Sequence, residues 1–145
     1  NTIISKELID SSIYNVWLKD MAKISKIYCD ILNTDIICFS LETSRSCKRF
    51  HIDNVPVRLL VTYYGKGTEW IPSNACDYSA YYNGKNNNEI IKDISAIKFM
   101  NTWDIAIFKG NKFPGNGKGI LHRTPDAAYN LPSLLMRLDN SSFYS

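Results

Sequence analysis

Val57-Arg58-Leu59-Leu60-Val61-Thr62-Tyr63-Tyr64 is the stretch on which the fold turns. Its β-branched and aromatic side chains, closed by Gly65-Lys66-Gly67, read as a strong strand. Similar short runs flank it. Upstream are residues 36–43 and 49–53; downstream are 68–71, 90–99, 103–109, 119–124 and 134–139. Turn chemistry separates them at Pro72, Asn83-Gly84, Gly110 and Pro114-Gly115-Asn116-Gly117. About eight short strands without intervening helices predict a mainly β fold, a double-stranded β-helix of the jelly-roll, cupin-like kind, with an irregular α+β sandwich as the alternative.

Residues 3–33 carry a different period. Ile9, Ile13, Val16, Trp17, Met21, Ile24, Ile27, Tyr28, Ile31 and Leu32 recur at helical steps, with Asn33 as the stop. Asp10, Ser11 or Ser12 offers a cap for a second segment, so one long helix and two short ones both fit. The chain therefore reads as a single domain over 1–145, with helical support over 1–34 and a jelly-roll core over 35–145.

Composition narrows the function classes. With 45% hydrophobic and 21% charged residues, the chain is not of disordered type. Seventeen Lys and Arg against fourteen Asp and Glu leave +3, too small an excess to argue for nucleic acid or a membrane surface. No run approaches the roughly 18 apolar residues of a membrane helix, and no basic-then-apolar leader opens the chain. A cytoplasmic location is expected, with Cys29, Cys38, Cys47 and Cys76 as free buried thiols. Their spacing lacks the paired pattern of structural zinc sites, and Cys47 or Cys76 is a minor candidate metal ligand. The run from Gly110 to Gly119 (GNKFPGNGKG) is not a phosphate loop, because Lys118 is followed by Gly119 rather than Ser or Thr and a strand follows; it reads as a surface turn.

The chain holds only two histidines. His51 lies in Phe50-His51-Ile52-Asp53, and residues two apart on a strand share a face, so His51 and Asp53 project together. His122 follows 69 residues after Asp53, in Gly119-Ile120-Leu121-His122-Arg123-Thr124-Pro125. Two His and one carboxylate on one side of a metal form the facial triad of non-heme Fe(II) oxygenases. The competing reading is a hydrogen-bonded structural His51 with a loop-capping Asp53.

Arg137 places a cation in the apolar run Leu134 to Leu138. Facing inward, its fork suits a carboxylate such as 2-oxoglutarate; an internal salt bridge to Asp or Glu is the alternative. Arg58 and Arg123 are its rivals. Glu69 and Trp70 point to opposite faces, so only one looks inward. Tyr63, Tyr64, Tyr78, Tyr81 and Tyr82 fit ordinary strand packing, or an aromatic wall at the mouth of a site.

Several motifs, in order, resemble a bacterial family of uncharacterised proteins: Phe50-His51-Ile52-Asp53-Asn54, Arg58-Leu59-Leu60 with Thr62-Tyr63, Gly67-Thr68-Glu69-Trp70, Phe108-Lys109-Gly110, His122-Arg123-Thr124-Pro125 and Arg137-Leu138-Asp139. That resemblance implies no activity. More distantly, the chain is similar to 2-oxoglutarate/Fe(II)-dependent oxygenases. This second resemblance implies His51, Asp53 and His122 as iron ligands and catalytic centre, Arg137 as the cosubstrate anchor, and Tyr63 as a further cosubstrate contact. Arg123 is a secondary candidate for the cofactor site. The expected function is an Fe(II)/2-oxoglutarate-dependent dioxygenase-like enzyme acting on a small molecule or peptide. The alternatives are a non-redox zinc protein with the same ligands, and a metal-free carboxylate-binding module.

Overall fold

The computed structural model describes residues 9–45, 47–129 and 131–140, and its chain divides into two compact units, Asn1–Ile37 and Cys38–Ser145. In the first, helix α1 spans Ser12–Leu32. Trp17, Met21, Ile24 and Tyr28 are its buried positions, a narrower stripe than the sequence suggests. Ile13, Val16 and Ile31 are exposed instead. Asn33 ends the helix in the left-handed region (φ 49°, ψ 52°), its N–H donating to the Asp30 and Cys29 carbonyls. Residues 3–8 of the expected helical stretch lie outside the described residues. No described helix is long and apolar enough to cross a membrane.

The rest is mixed α/β, with two antiparallel sheets. The strands are β1 (Ile37–Glu42), β2 (Val57–Tyr64), β3 (Glu69–Ile71), β4 (Lys98–Phe99), β5 (Ile105–Lys109), β6 (Leu121–Arg123) and β7 (Leu134–Asn140). The larger sheet runs β1-β7-β2-β5 and the smaller β4-β3-β6. β2 matches its expected bounds and is central: Leu60 opposes Arg137 on one side and Ala106 on the other, and Arg58 opposes Asp139 and Phe108. His51 forms an isolated antiparallel bridge to His122 on β6.

The expectation of strands without helices fails between β3 and β5. Helices α2 (Tyr78–Tyr82) and α3 (Asn87–Ile90) and single 3-10 turns at Ser73–Ala75 and Ile94–Ala96 lie there, and of residues 90–99 only Lys98 and Phe99 form a strand. Side-chain capping decides the matter. Asp77 accepts from Ala80 N–H, Asn86 from Asn88 N–H and Asp93 from Ser95 N–H. These local bonds compete with strand pairing and outweigh the β-branched content of Ile90, Ile91, Ile94 and Ile97. A third 3-10 turn, Asp126–Ala128, lies between β6 and β7.

Among the described residues, two apolar clusters lie in the second unit. Leu60, Ala106, Phe108 and Leu135 of the large sheet pack with Trp70 of the small one, so of the Glu69–Trp70 pair it is Trp70 that joins this cluster. Phe50, Ile52, Ile71, Leu121, Tyr78 and Ile90 form the other, joining the small sheet to the short helices. The Gly110–Gly119 loop is more than a surface turn, because its start grips the chain beyond Asp53. Gly110 N–H donates to Pro56 O at 2.8 Å, and Asn111 N–H to Asp53 O at 2.9 Å. A Cβ at Gly110 would stand 1.8 Å from the Val55 carbonyl oxygen. Gly110→Ala is therefore expected to lower the unfolding free energy by about 1–3 kcal/mol in urea titration; a change below about 0.5 kcal/mol would contradict this packing.

Candidate metal centre

The site is built by backbone pairing. His51 N–H donates to His122 O at 3.0 Å, and His122 N–H donates to His51 O at 3.0 Å. Residues exchanging both bonds across an antiparallel pair stand directly opposite, with side chains on the same face. The two rings accordingly lie 4.5 Å apart between centroids. Asp53, two residues beyond His51, projects to the same side. One ligand atom from each of His51, Asp53 and His122 falls within 4.8 Å of the others.

The imidazoles are oriented as metal ligands are. His51 Nδ1 lies 3.0 Å from the Arg49 carbonyl oxygen, and His122 Nδ1 lies 3.1 Å from that of Ile120. A carbonyl only accepts, so in each neutral ring the proton sits on Nδ1 and Nε2 presents its lone pair. Phe108 stacks on the His122 ring at 4.6 Å and 19°. Both Nε2 atoms face Asp53, at 3.8 Å for His51 and 3.2 Å for His122. Burial first, and then the neighbouring His122, push His51 below its ordinary pKa, which favours the neutral ring.

Asp53 is buried. Burial alone would raise its carboxyl, but the His122 ring, then Arg58 and His51, outweigh that and hold it below the usual range. Arg58 donates to Asp53 Oδ1 and grips Asp139 with two bonds, Nε to Oδ1 at 2.7 Å and Nη2 to Oδ2 at 3.0 Å. Asp53 Oδ2 is buried with no hydrogen-bond partner among the described residues. With Nδ1–H kept on the Ile120 carbonyl, the nearby Nε2 of His122 can donate to it only as an imidazolium. Two lone pairs and a carboxylate oxygen aimed at one another repel unless a cation stands between them. Adjacent ligand corners around a divalent ion lie about 3 Å apart, and these donors lie within 4.8 Å of one another, so the residues fit such an ion once they draw closer around it.

The donors open onto a cavity of about 120 Å³, also lined by Glu42, Arg45, Arg58, Arg123 and Arg137. Arg137 reaches it as expected, but its Nη1 pairs with Glu42 Oε1 at 2.5 Å and its Nε lies 3.4 Å from Asp139 Oδ2. The internal salt bridge weighed as its alternative is present. Arg123 pairs with Glu69 at 2.5 Å and with Asp126 at 3.3 Å. Tyr63 is not brought to the cavity. It shares the outward parity of Leu59 and Val61 and packs edge-on against Trp103, with its hydroxyl 3.9 Å from Met136 Sδ. The other tyrosines form no wall there. Tyr78 Oη donates to Gly119 O and Tyr81 Oη accepts from Ile52 N–H, bracing the segments beside the ligands, while Tyr64 and Tyr82 are exposed.

All four cysteines are free, but only Cys76 is buried. It sits in the Phe50–Leu121 cluster, with Sγ bonded to Ser73 O at 3.6 Å, and is not a ligand candidate. Cys47 is exposed at the cavity rim, outside the three-donor group.

Two antiparallel sheets carrying a His-Asp-His cluster define the class of this molecule structurally. By sequence, the chain belongs to the family described as protein of unknown function (DUF1826), whose match covers residues 2–139. No curated protein and no solved structure matches the chain.

The sequence offered Arg58 only as a rival anchor; the structure makes it the clamp on Asp53. Its signal was the one that drew attention to Arg137, a cation in an apolar strand. Arg58→Met takes the clamping guanidinium from two buried carboxylates, Asp53 and Asp139, and is expected to cost about 3–5 kcal/mol of stability. Lys26→Met, at the exposed Lys26–Asp30 pair (3.2 Å), should cost no more than about 0.5 kcal/mol. Equal losses in urea titration would contradict the clamp.

Proposed function

We propose that this protein is a mononuclear non-heme metal protein of the Fe(II)/2-oxoglutarate oxygenase-like kind, with His51, Asp53 and His122 as the ligands. The observation that carries the reading is the orphaned Asp53 Oδ2 facing Nε2 of His122, with Nε2 of His51 near the other oxygen of the same carboxylate. Two imidazoles and one carboxylate suit iron(II), and leave coordination positions for a chelating acid and oxygen.

Strand order supports a jelly-roll reading. With the His51 bridge beside β6 as a fourth member of the small sheet, there are eight strands in two sheets of four. In chain order they fall large, small, large, small, small, large, small, large. The ligands then come from adjacent strands of one sheet, and the cavity arginines Arg58 and Arg137 from the facing sheet.

Bound iron would supply the one-electron and oxygen chemistry, and the chain supplies the rest. Asp53, clamped by Arg58 through Oδ1, offers Oδ2 alone. The Arg49 and Ile120 carbonyls hold both rings in the ligating tautomer. Arg137 would reach a bound acid only by exchanging its contact with Glu42. A zinc protein using the same ligands is the second reading, favoured by the pairing of Arg137 with Glu42 and Asp139.

Anaerobic protein is expected to bind one equivalent of Fe(II), to bind 2-oxoglutarate in its presence, and to release CO₂ from it on admission of oxygen. His122→Ala should abolish metal binding. Stoichiometric zinc that iron cannot displace would select the second reading, and wild-type protein that binds no divalent ion would refute both.

A further inference from the structure

Four arginines line the cavity, and three of them have acid partners. Arg58 is held by Asp53 and Asp139, Arg123 by Glu69 and Asp126, and Arg137 by Glu42 and Asp139. Arg45 differs. It donates Nη1–H to the Lys66 carbonyl at 2.6 Å and Nη2–H to Thr68 Oγ1 at 2.8 Å. Both acceptors are neutral, and among the described residues no carboxylate lies within ion-pair distance of it.

A guanidinium has five N–H donors, and the two bonds to Lys66 and Thr68 leave three for another partner. They also fix the plane of the fork. A half-buried cation with no ion-pair partner is costly, so this arrangement favours an anion beside it. Burial pushes the Arg45 guanidinium below its ordinary pKa, against the raising effects of Glu42 and Cys47. Planar bidentate donors suit a carboxylate. The cavity, about 120 Å³, suits a small acid.

We propose that Arg45 is the carboxylate-binding group of this cavity, and that the ligand is a small organic acid with one carboxylate on Arg45. The proposal rests on the metal reading for the acid's other end, which would lie toward the His51, Asp53 and His122 donors of the same cavity. It assigns the first grip on the acid to a loop residue rather than to Arg137, whose fork already holds Glu42.

The test is a calorimetric titration of Co(II)-loaded protein with succinate, with succinamide as the neutral control and bound Co(II) followed by its visible absorption. Wild-type protein should bind succinate at least tenfold more tightly than succinamide. Arg45→Gln should weaken succinate binding at least tenfold with Co(II) stoichiometry unchanged, and Arg45→Lys should recover part of the loss. Succinate affinity within twofold of wild type in Arg45→Gln overturns the proposal, as does wild-type loaded protein that binds no succinate. If wild-type protein takes up no Co(II), the metal reading fails by itself. The same titration on metal-free protein then decides: Arg45-dependent succinate binding upholds the carboxylate site, and its absence overturns it.

Discussion

The two reciprocal backbone hydrogen bonds between His51 and His122 are the constraint on which the candidate site depends. They set residues 71 positions apart in the sequence directly opposite each other. From that single pairing follow the shared face of the rings, the placing of Asp53 beside them, and the common direction of both Nε2 atoms. The pairing is short, a bridge rather than a long strand, so it needs support from both sides. Phe50, Ile52 and Leu121 supply it by burying the opposite face in one apolar cluster. The Gly110 loop supplies it again by fastening the carbonyls of Asp53, Val55 and Pro56.

Charge organises the large-sheet side of the cavity. Asp53, Arg58, Asp139, Arg137 and Glu42 alternate in sign from the donor group outward. β2 and β7 impose that order by register, since Arg58 lies opposite Asp139 and Leu60 opposite Arg137. A buried acid without such a partner would be driven toward its neutral form. With the His122 ring and Arg58 beside it, Asp53 stays ionised and keeps its second oxygen turned to His122. The clamp therefore links strand register to the chemistry of the site.

Much of this was legible from residue spacing. The period of two in His51-Ile52-Asp53 placed both side chains on one face, and β2 was readable because turn residues bound a run of strand-forming ones. Side-chain parity on β2 also held the answer for Tyr63: it alternates with Arg58 and Leu60 through odd positions and so turns from the cavity. Other features could not be read this way. Residues 90–97 look like a strand by content, yet Asn86 and Asp93 cap local turns that a hydrophobic pattern does not register. The pairing of Arg137 with Glu42 joins two neighbouring strands that lie far apart in the sequence, and carries no local signature. Arg45 lies in a loop, where neither period applies, and gained meaning only from the neutral acceptors that surround it.

The central claim is that the two histidines and Asp53 together hold one divalent ion. X-ray absorption at the metal edge of Zn(II)- or Co(II)-loaded protein tests it most directly. The account predicts two imidazole nitrogens and a carboxylate oxygen in a first shell at about 2.0–2.2 Å. A sulfur scatterer near 2.3 Å, or a shell lacking the pair of imidazoles, would contradict it.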